Sequence, residues 1–198
     1  MRCFVALDVS DATRALAMRV RESVSEVDPE WRAAKWVARE NLHVTLAFLG
    51  EVTNAEMRRL VASLYTNTVE PFTLRVPVLD AVPGTDSASI IWIRYVEGSA
   101  ECSALAELVR SHASEGILLV EPVRPFVPHV TLVRSHRRQG VSEAALSAAG
   151  RVLDAATDPS VSVSSVRVFS SSLGRVGPTY TEVAEVPLLG ARGIKARR

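Results

Sequence analysis

The chain has 198 residues, of which 47% are hydrophobic, and its 23 basic and 22 acidic side chains leave a formal net charge of +1. This length is enough for one sizeable core, and the near-neutral charge excludes a protein that coats nucleic acid through general basicity, so a polyanion would have to bind at a local site. No stretch approaches the roughly 18 apolar residues of a membrane span, and the segment "MRCFVALDVS" is too short and too acidic for a signal peptide, so we expect a cytoplasmic protein without membrane contact.

The first half of the chain predicts strands and helices in alternation. "RCFVALDV" at residues 2–9 is rich in β-formers, and Ser10 caps a helix whose apolar residues recur every three or four positions until Pro29. A second strand follows at "LHVTLAFLG", residues 42–50. "TNAE", residues 53–56, matches a capping box that begins the next helix.

The rest of the chain, from Pro71 onward, predicts six further strands and two helices. One helix ends near Gly116, and the other is capped by Ser142 and runs to about Ala156. The strands, in chain order, are "PFTLRVPVLD", "SIIWIRYV", "ILLVEP" (117–122), "FVPHVTLVRS", "VSVSSVRVF" and "TYTEVAEVPL". The segment 191–198 has no periodicity, and we expect a flexible basic tail.

The order of these elements predicts an α+β fold. Helices between strands are also typical of a parallel doubly wound sheet, but no strand is followed by a glycine-rich phosphate turn and several strand pairs look like hairpins. We therefore predict two antiparallel sheets, each backed by helices. The rhythm of strand, helix, strand and helix in each half suggests a pseudo-duplication inside a single two-lobed domain at 1–190.

The four letters His-Val-Thr-Leu occur twice, at 43–46 and at 129–132, and use two of the four histidines. Because side chains alternate along a strand, His43 and Thr45 point to one face, and the same holds for His129 and Thr131. Each motif therefore presents an imidazole beside a hydroxyl, with two hydrophobic residues behind them.

Two such strands facing one another across a cleft would suit a phosphodiester. One imidazole can take a proton from an attacking hydroxyl or water, the other can protonate the leaving oxygen, and the hydroxyls can hold the non-bridging oxygens. Histidine fits both tasks because its reference pKa of about 6.5 lies near neutrality. This scheme requires no metal or cofactor.

Other interpretations of the motifs remain open at this point. A single His-x-Thr strand usually holds a satisfied core histidine, and a repeated four-residue string is weak evidence alone. A metal site would have only two good ligands, and a non-catalytic RNA-binding module does not explain paired imidazoles. Matching half-chain positions and unlike flanking sequences favour a constraint on histidine and threonine themselves.

The motifs and their surroundings resemble the two-histidine (2H) phosphoesterase superfamily, and within it the RNA 2′,3′-cyclic phosphodiesterases, also called 2′-5′ RNA ligases. The matching segments are "MRCFVALDVS", "WVARENLHVTLAFLGEV", "PFTLRV", "PFVPHVTLVRS" and "VFSSSLGRVGPTYTEVAEVPL". The resemblance implies a bilobal fold with pseudo-twofold symmetry, in which the two motif strands face each other across a central cleft.

The resemblance also implies an activity, namely hydrolysis of RNA 2′,3′-cyclic phosphate ends to 2′-phosphomonoesters. His43 would be the proton donor to O3′ and His129 the proton acceptor, although the sequence would allow the exchange of these roles. Thr45 and Thr131 would bind phosphate oxygens. In 2′-5′ ligation an RNA 5′-hydroxyl would replace water. A small cyclic nucleotide phosphate or a 2′-5′ oligonucleotide is the alternative substrate, and a monomer is the default expectation.

Two further residues are candidate substrate contacts. Arg134 would contact phosphate or form an ion pair, and by strand alternation it is out of phase with the motif unless the strand bends. Tyr180 would stack on a base or pack inside the protein. We expect Phe48 to pack behind the motif, and Trp36 to pack in the core rather than serve as a platform for a base. We expect the basic segment around His136 to be a surface turn, which could steer RNA.

Overall fold

Nine strands and five helices make up the part of the chain that the computed structural model describes, residues 1–116, 125–174 and 177–190. The helices are α1 (Asp11–Val27), α2 (Pro29–Arg32), α3 (Asn54–Leu64), α4 (Ser99–Ser114) and α5 (Glu143–Asp154). The strands are β1 (Arg2–Asp8), β2 (Lys35–Trp36), β3 (His43–Glu51), β4 (Phe72–Val82), β5 (Ala88–Glu97), β6 (His129–Gln139), β7 (Val161–Val163), β8 (Ser165–Leu173) and β9 (Pro178–Pro187). The strand predicted at 117–122 and the tail predicted at 191–198 lie outside the described residues.

Short polar signals begin three of the helices at the predicted positions. The Ser10 hydroxyl accepts a hydrogen bond from the Thr13 backbone N–H at 3.1 Å, at the start of α1. Thr53 and Glu56 form a complete capping box before α3, and Ser142 caps α5. These predictions are confirmed because a cap depends on residues only three positions apart.

Every strand pair in the described residues is antiparallel, which confirms the α+β class over the doubly wound alternative. The strands follow the order β7-β4-β5-β6-β3-β1-β8-β9, and β2 pairs with β6. We call β1, β3, β8 and β9 the β3 half, and β2 with β4 to β7 the β6 half. A single registered pair, Val44 opposite Val130, joins them. The two predicted sheets are thus two halves of one continuous sheet.

Each half of the sheet carries one His-Val-Thr-Leu strand, but the halves of the sheet are not the halves of the chain. β8 pairs with β1, and β9 pairs with β8, so the C-terminal strands complete the sheet around the N-terminal motif. The half-chain rhythm could not indicate this exchange, because the partner of a strand is chosen by long-range packing.

The core lies behind the motif strands. Val44, Leu46, Val130 and Leu132 are each at most 1% exposed, as the sequence predicts for the residues between and after histidine and threonine. α1 packs against α5, and α3 packs against α4 and β9, while α4 also contacts β3. No helix in the described ranges has both the length and the apolar character needed to cross a bilayer.

The prediction of a surface turn around His136 is wrong. β6 continues to Gln139, where it pairs with Ala88 at the start of β5. β5 pairs with the two ends of this segment, Ile90 opposite Arg134 and Ala88 opposite Gln139. Three side chains between those ends, His136, Arg137 and Arg138, are exposed.

Candidate active site

The two motif strands lie side by side where the sheet halves meet. The residue pair that joins them is the valine of each motif, and this antiparallel register places His43 across from Thr131 and His129 across from Thr45. Because both valines are buried, the imidazoles and hydroxyls project to the opposite, partly exposed face. The fold therefore brings all four predicted residues to one surface, which we call the motif face.

His43 is held by a backbone carbonyl and by the threonine of its own motif. Its Nδ1–H donates to the Asn41 carbonyl at 2.7 Å, which fixes the tautomer because a carbonyl can only accept. Its Nε2 lies 2.9 Å from the Thr45 hydroxyl, so the neutral ring accepts from Thr45 and the protonated ring donates to it. The ring also contacts Phe4 (centroids 4.9 Å apart) and Tyr180 (5.5 Å, edge-on).

His129 is oriented in the same way on β6. Its Nδ1–H donates to the Val127 carbonyl at 2.7 Å, again two residues before the histidine. The Trp92 ring lies 4.0 Å from the imidazole, centroid to centroid, on the neighbouring strand opposite Thr131. In both motifs Nδ1 is committed to the backbone, so Nε2 is the nitrogen available for chemistry.

A bulge in each motif strand returns a further side chain to the motif face. The pairing of β1 with β3 shifts at Leu46, and the pairing of β5 with β6 shifts at Leu132, so each motif leucine is an extra residue in its strand. A bulge of this kind reverses the alternation of the residues that follow. Phe48 and Arg134, each five positions after its histidine, therefore share the face of the histidines.

The bulge explains how Arg134 reaches the motif although simple alternation places it out of phase. Its Nη2 lies 3.4 Å from the Thr131 hydroxyl. The prediction that Phe48 packs behind the motif is wrong, since this ring is 43% exposed and lines two hollows beside the motif face. Sequence alternation alone missed both placements because a bulge depends on the neighbouring strand.

Tyr180 lies at the same surface, on β9. Its ring packs edge-on against Phe4 at 4.8 Å, and burial raises the pKa of its hydroxyl, while the nearby Arg134 and Arg2 oppose this shift. Trp36 packs against the core as predicted, with its Nε1–H donating to the Trp31 carbonyl at 2.8 Å.

Burial lowers the pKa of both motif histidines from the ordinary value of 6.5. For His43, the hydrogen bond to the Asn41 carbonyl and the charge of Asp8 oppose this shift, whereas His129 and Arg134 reinforce it. For His129, the hydrogen bond to Val127 opposes the shift and Arg134 reinforces it. Both rings therefore favour their neutral form in the unliganded protein.

Sequence reasoning missed several residues of this site. Trp92 and Phe4 contact the imidazoles from other strands, so only strand register could have indicated them. Asn41 lies two residues before His43, so its position next to the motif was a local signal for the carbonyl that orients this ring. The Trp92 indole nitrogen is buried and has no hydrogen-bond partner among the described residues. Within the same residues, no three His, Cys, Asp or Glu side chains are placed to hold a metal ion together.

Comparisons with known proteins show the family to which the chain is similar. The model of the 2′-5′ RNA ligase superfamily matches residues 14–175. The chain is similar to an RNA 2′,3′-cyclic phosphodiesterase of Aquifex aeolicus, with 32% identity over 96% of this chain and 98% of the relative, and to one of Archaeoglobus fulgidus, with 33% identity over 70% and 74%. The crystal structure of E. coli LigT complexed with NADP+ aligns with a TM-score of 0.71 and 26% identity, over 94% of this chain and 96% of that one.

Proposed function

The chain belongs to the 2′-5′ RNA ligase superfamily, and we propose that it hydrolyses RNA ends carrying a 2′,3′-cyclic phosphate to 2′-phosphomonoesters by acid–base catalysis. The observation that carries this proposal is the matched orientation of two imidazoles. Each Nδ1 is anchored to a backbone carbonyl at 2.7 Å, and both rings lie on one face beside two threonine hydroxyls. A phosphate bound on this face would have an acid on one side and a base on the other.

In the proposed reaction, water attacks phosphorus while His129 Nε2 takes its proton. The new bond joins the water oxygen to phosphorus, and the bond from phosphorus to O3′ breaks. His43 Nε2 gives its proton to O3′, which leaves as a neutral hydroxyl on the same ribose. Thr45, Thr131 and Arg134 hold the non-bridging oxygens as negative charge develops on them. Proton exchange with solvent then restores both rings.

Different charged groups lie beside the two motif histidines. Asp8 lies across from His43 in the paired strand, and Arg94, which pairs with Asp80, lies across from His129. The Asp8 carboxylate, which pairs with Arg14 and with Arg167 (2.8 Å), raises the pKa of His43, whereas His129 and Arg134 lower it more strongly. The donor role of His43 is therefore carried over from the family resemblance, and a substrate with sulfur in place of O3′ tests it.

Product analysis on a short RNA that ends in a 2′,3′-cyclic phosphate tests the proposal. We expect conversion to the 2′-phosphate in the presence of excess chelator. A 3′-phosphate product would contradict the assignment of the leaving oxygen, and loss of turnover with chelator would favour the metal-dependent alternative. Adding an RNA with a 5′-hydroxyl to the same reaction tests ligation, in which that hydroxyl takes the place of water.

The histidines also separate an enzyme from a binding module. Replacing either one with alanine should abolish most turnover, whereas a protein that only holds RNA ends would show no turnover before the substitution. An unchanged rate in both variants would remove the catalytic assignment.

A further inference from the structure

A groove with a volume of about 640 Å³ lies beside the motif face, and its lining includes Arg134 and Tyr180, which contact Thr131 and His43 respectively. Its volume lies within the range of roughly 300–1,000 Å³ that is typical of small-molecule sites, which is enough for one nucleotide. We call it the cationic groove and define it by six of its lining residues: Lys35, Trp36, Asn41, Arg134, His136 and Tyr180.

The charges of this groove suit an anion. Lys35 lies directly across from Arg134 in the pairing of β2 with β6, so the two cations are neighbours on one surface. Neither forms an ion pair with a carboxylate of the described residues, and Glu40 is the one acidic side chain among the described lining residues. By contrast, Arg167 near the other end of the motif face is surrounded by carboxylates.

A second hollow has the position and lining expected of a site for the terminal nucleotide. The ribose of a 2′,3′-cyclic phosphate is fused to the phosphate ring, so it has to lie beside the histidine that protonates O3′. A mainly apolar hollow of about 440 Å³, lined by Phe4, Phe48 and Tyr180, lies on the His43 side and suits the terminal sugar and base. Tyr180 lines both this hollow and the cationic groove, which makes the two spaces adjacent.

We propose that the cationic groove binds the penultimate nucleotide of the RNA, with the phosphodiester between the last two nucleotides held by Lys35, the neighbour of Arg134 across the paired strands. This inference rests on the proposed function and specifies its substrate class. An RNA end would place two phosphates on the protein, one at the histidines and one in the groove. A free nucleoside 2′,3′-cyclic phosphate would fill only the first position, so oligonucleotide ends should be the better substrates.

The test compares three substrates: uridine 2′,3′-cyclic phosphate, the dinucleotide UpU ending in a 2′,3′-cyclic phosphate, and the same dinucleotide with an uncharged methylphosphonate linkage. We expect kcat/KM to be about tenfold or more higher for the dinucleotide than for the mononucleoside, the size expected for a charge-assisted contact. The methylphosphonate should lose most of that advantage. Lys35→Ala should lower the ratio of kcat/KM for the dinucleotide to kcat/KM for the mononucleoside about tenfold.

Arg58→Ala is the matched control, since Arg58 is an exposed cation on α3 and its loss changes the net charge equally. Equal kcat/KM for the mononucleoside and the dinucleotide would overturn the inference while the proposed function stands. The same drop in the ratio for Arg58→Ala would overturn it in favour of general charge steering. If Lys35→Ala lowers kcat/KM for the methylphosphonate dinucleotide as much as for the charged dinucleotide, the inference is also overturned. If the wild-type protein turns over neither cyclic phosphate, the proposed function itself fails.

Discussion

Replacing His43 with alanine should remove the proton that the leaving O3′ needs. Nδ1 of this ring is bound to the Asn41 carbonyl at 2.7 Å, so Nε2, which lies 2.9 Å from the Thr45 hydroxyl, is the nitrogen that can give a proton to the substrate. Losing a well-placed general acid costs about 100- to 10,000-fold in rate, which is about 3–5 kcal/mol in activation free energy at roughly 1.4 kcal/mol per tenfold.

The size of this loss should depend on pH. An imidazole with the ordinary pKa of about 6.5 is about one quarter protonated at pH 7. Burial lowers the pKa of His43, so its protonated fraction at pH 7 is smaller still. The wild-type enzyme therefore gains less from the acid at higher pH, and the cost of His43→Ala should be larger at pH 6 than at pH 8.

The assay uses a 2′,3′-cyclic phosphate analogue in which sulfur replaces the bridging O3′. A thiolate leaves without protonation more readily than an alkoxide, because its conjugate acid is far stronger. We expect His43→Ala to lose less than about tenfold on the sulfur substrate, while His129→Ala keeps a loss of about 100-fold or more on both substrates. His112→Ala, in α4 and outside the site, controls for the loss of an imidazole elsewhere.

Two outcomes would refute the reasoning. Equal losses for His43→Ala on the oxygen and sulfur substrates would mean that His43 does not protonate the leaving group. If the sulfur substrate reduces the loss of rate in His129→Ala and not in His43→Ala, then His129 is the proton donor and His43 the acceptor.

Three further predictions concern pH and stability. The dependence of kcat/KM on pH in the wild type should be bell-shaped, because catalysis needs one protonated and one neutral ring. Its maximum should lie below pH 6.5, because burial lowers the pKa of both His43 and His129. A flat profile between about pH 5 and 8 would contradict paired imidazole catalysis. Arg134→Gln should raise KM and move the maximum to higher pH, because it removes a cation that lowers both pKa values, whereas Arg134→Lys should keep the maximum in place. Trp31→Phe should lower the free energy of unfolding, measured by urea titration, by about 1–3 kcal/mol. The reason is that the Gly140 carbonyl loses the indole N–H that donates to it at 2.8 Å. An unchanged midpoint of the urea transition would show that this hydrogen bond does not stabilise the fold.

Local patterns in the sequence predicted most of the secondary structure correctly. Helix caps at Ser10, Thr53 and Ser142 depend on contacts three residues apart, and they lie where expected. The basic segment around His136 was mispredicted, because β5 offers pairing partners at both of its ends, Ile90 and Ala88, and no local pattern indicates that neighbour. The domain boundaries, the monomeric state and the cytoplasmic location stay predictions.

In the candidate site, too, some placements follow from the sequence and others do not. Alternation in a strand predicts that His43 shares a face with Thr45, and His129 with Thr131, from the motif alone. Alternation fails for Arg134, because the bulge that turns it toward the motif is visible only in the pairing of two strands.

The sequence by itself determined which residues form the two motifs, which residues bury behind them, and the family to which the chain belongs, because these follow from short-range periodicity and from residue identity. Only the tertiary structure decided that both motifs meet at one valine pair, that β8 and β9 cross to the N-terminal motif, and that Trp92 and Phe4 pack against the imidazoles. The physical reason is that strand register and bulges are set by the packing of segments far apart in the chain, and no local pattern encodes which strand will be the neighbour.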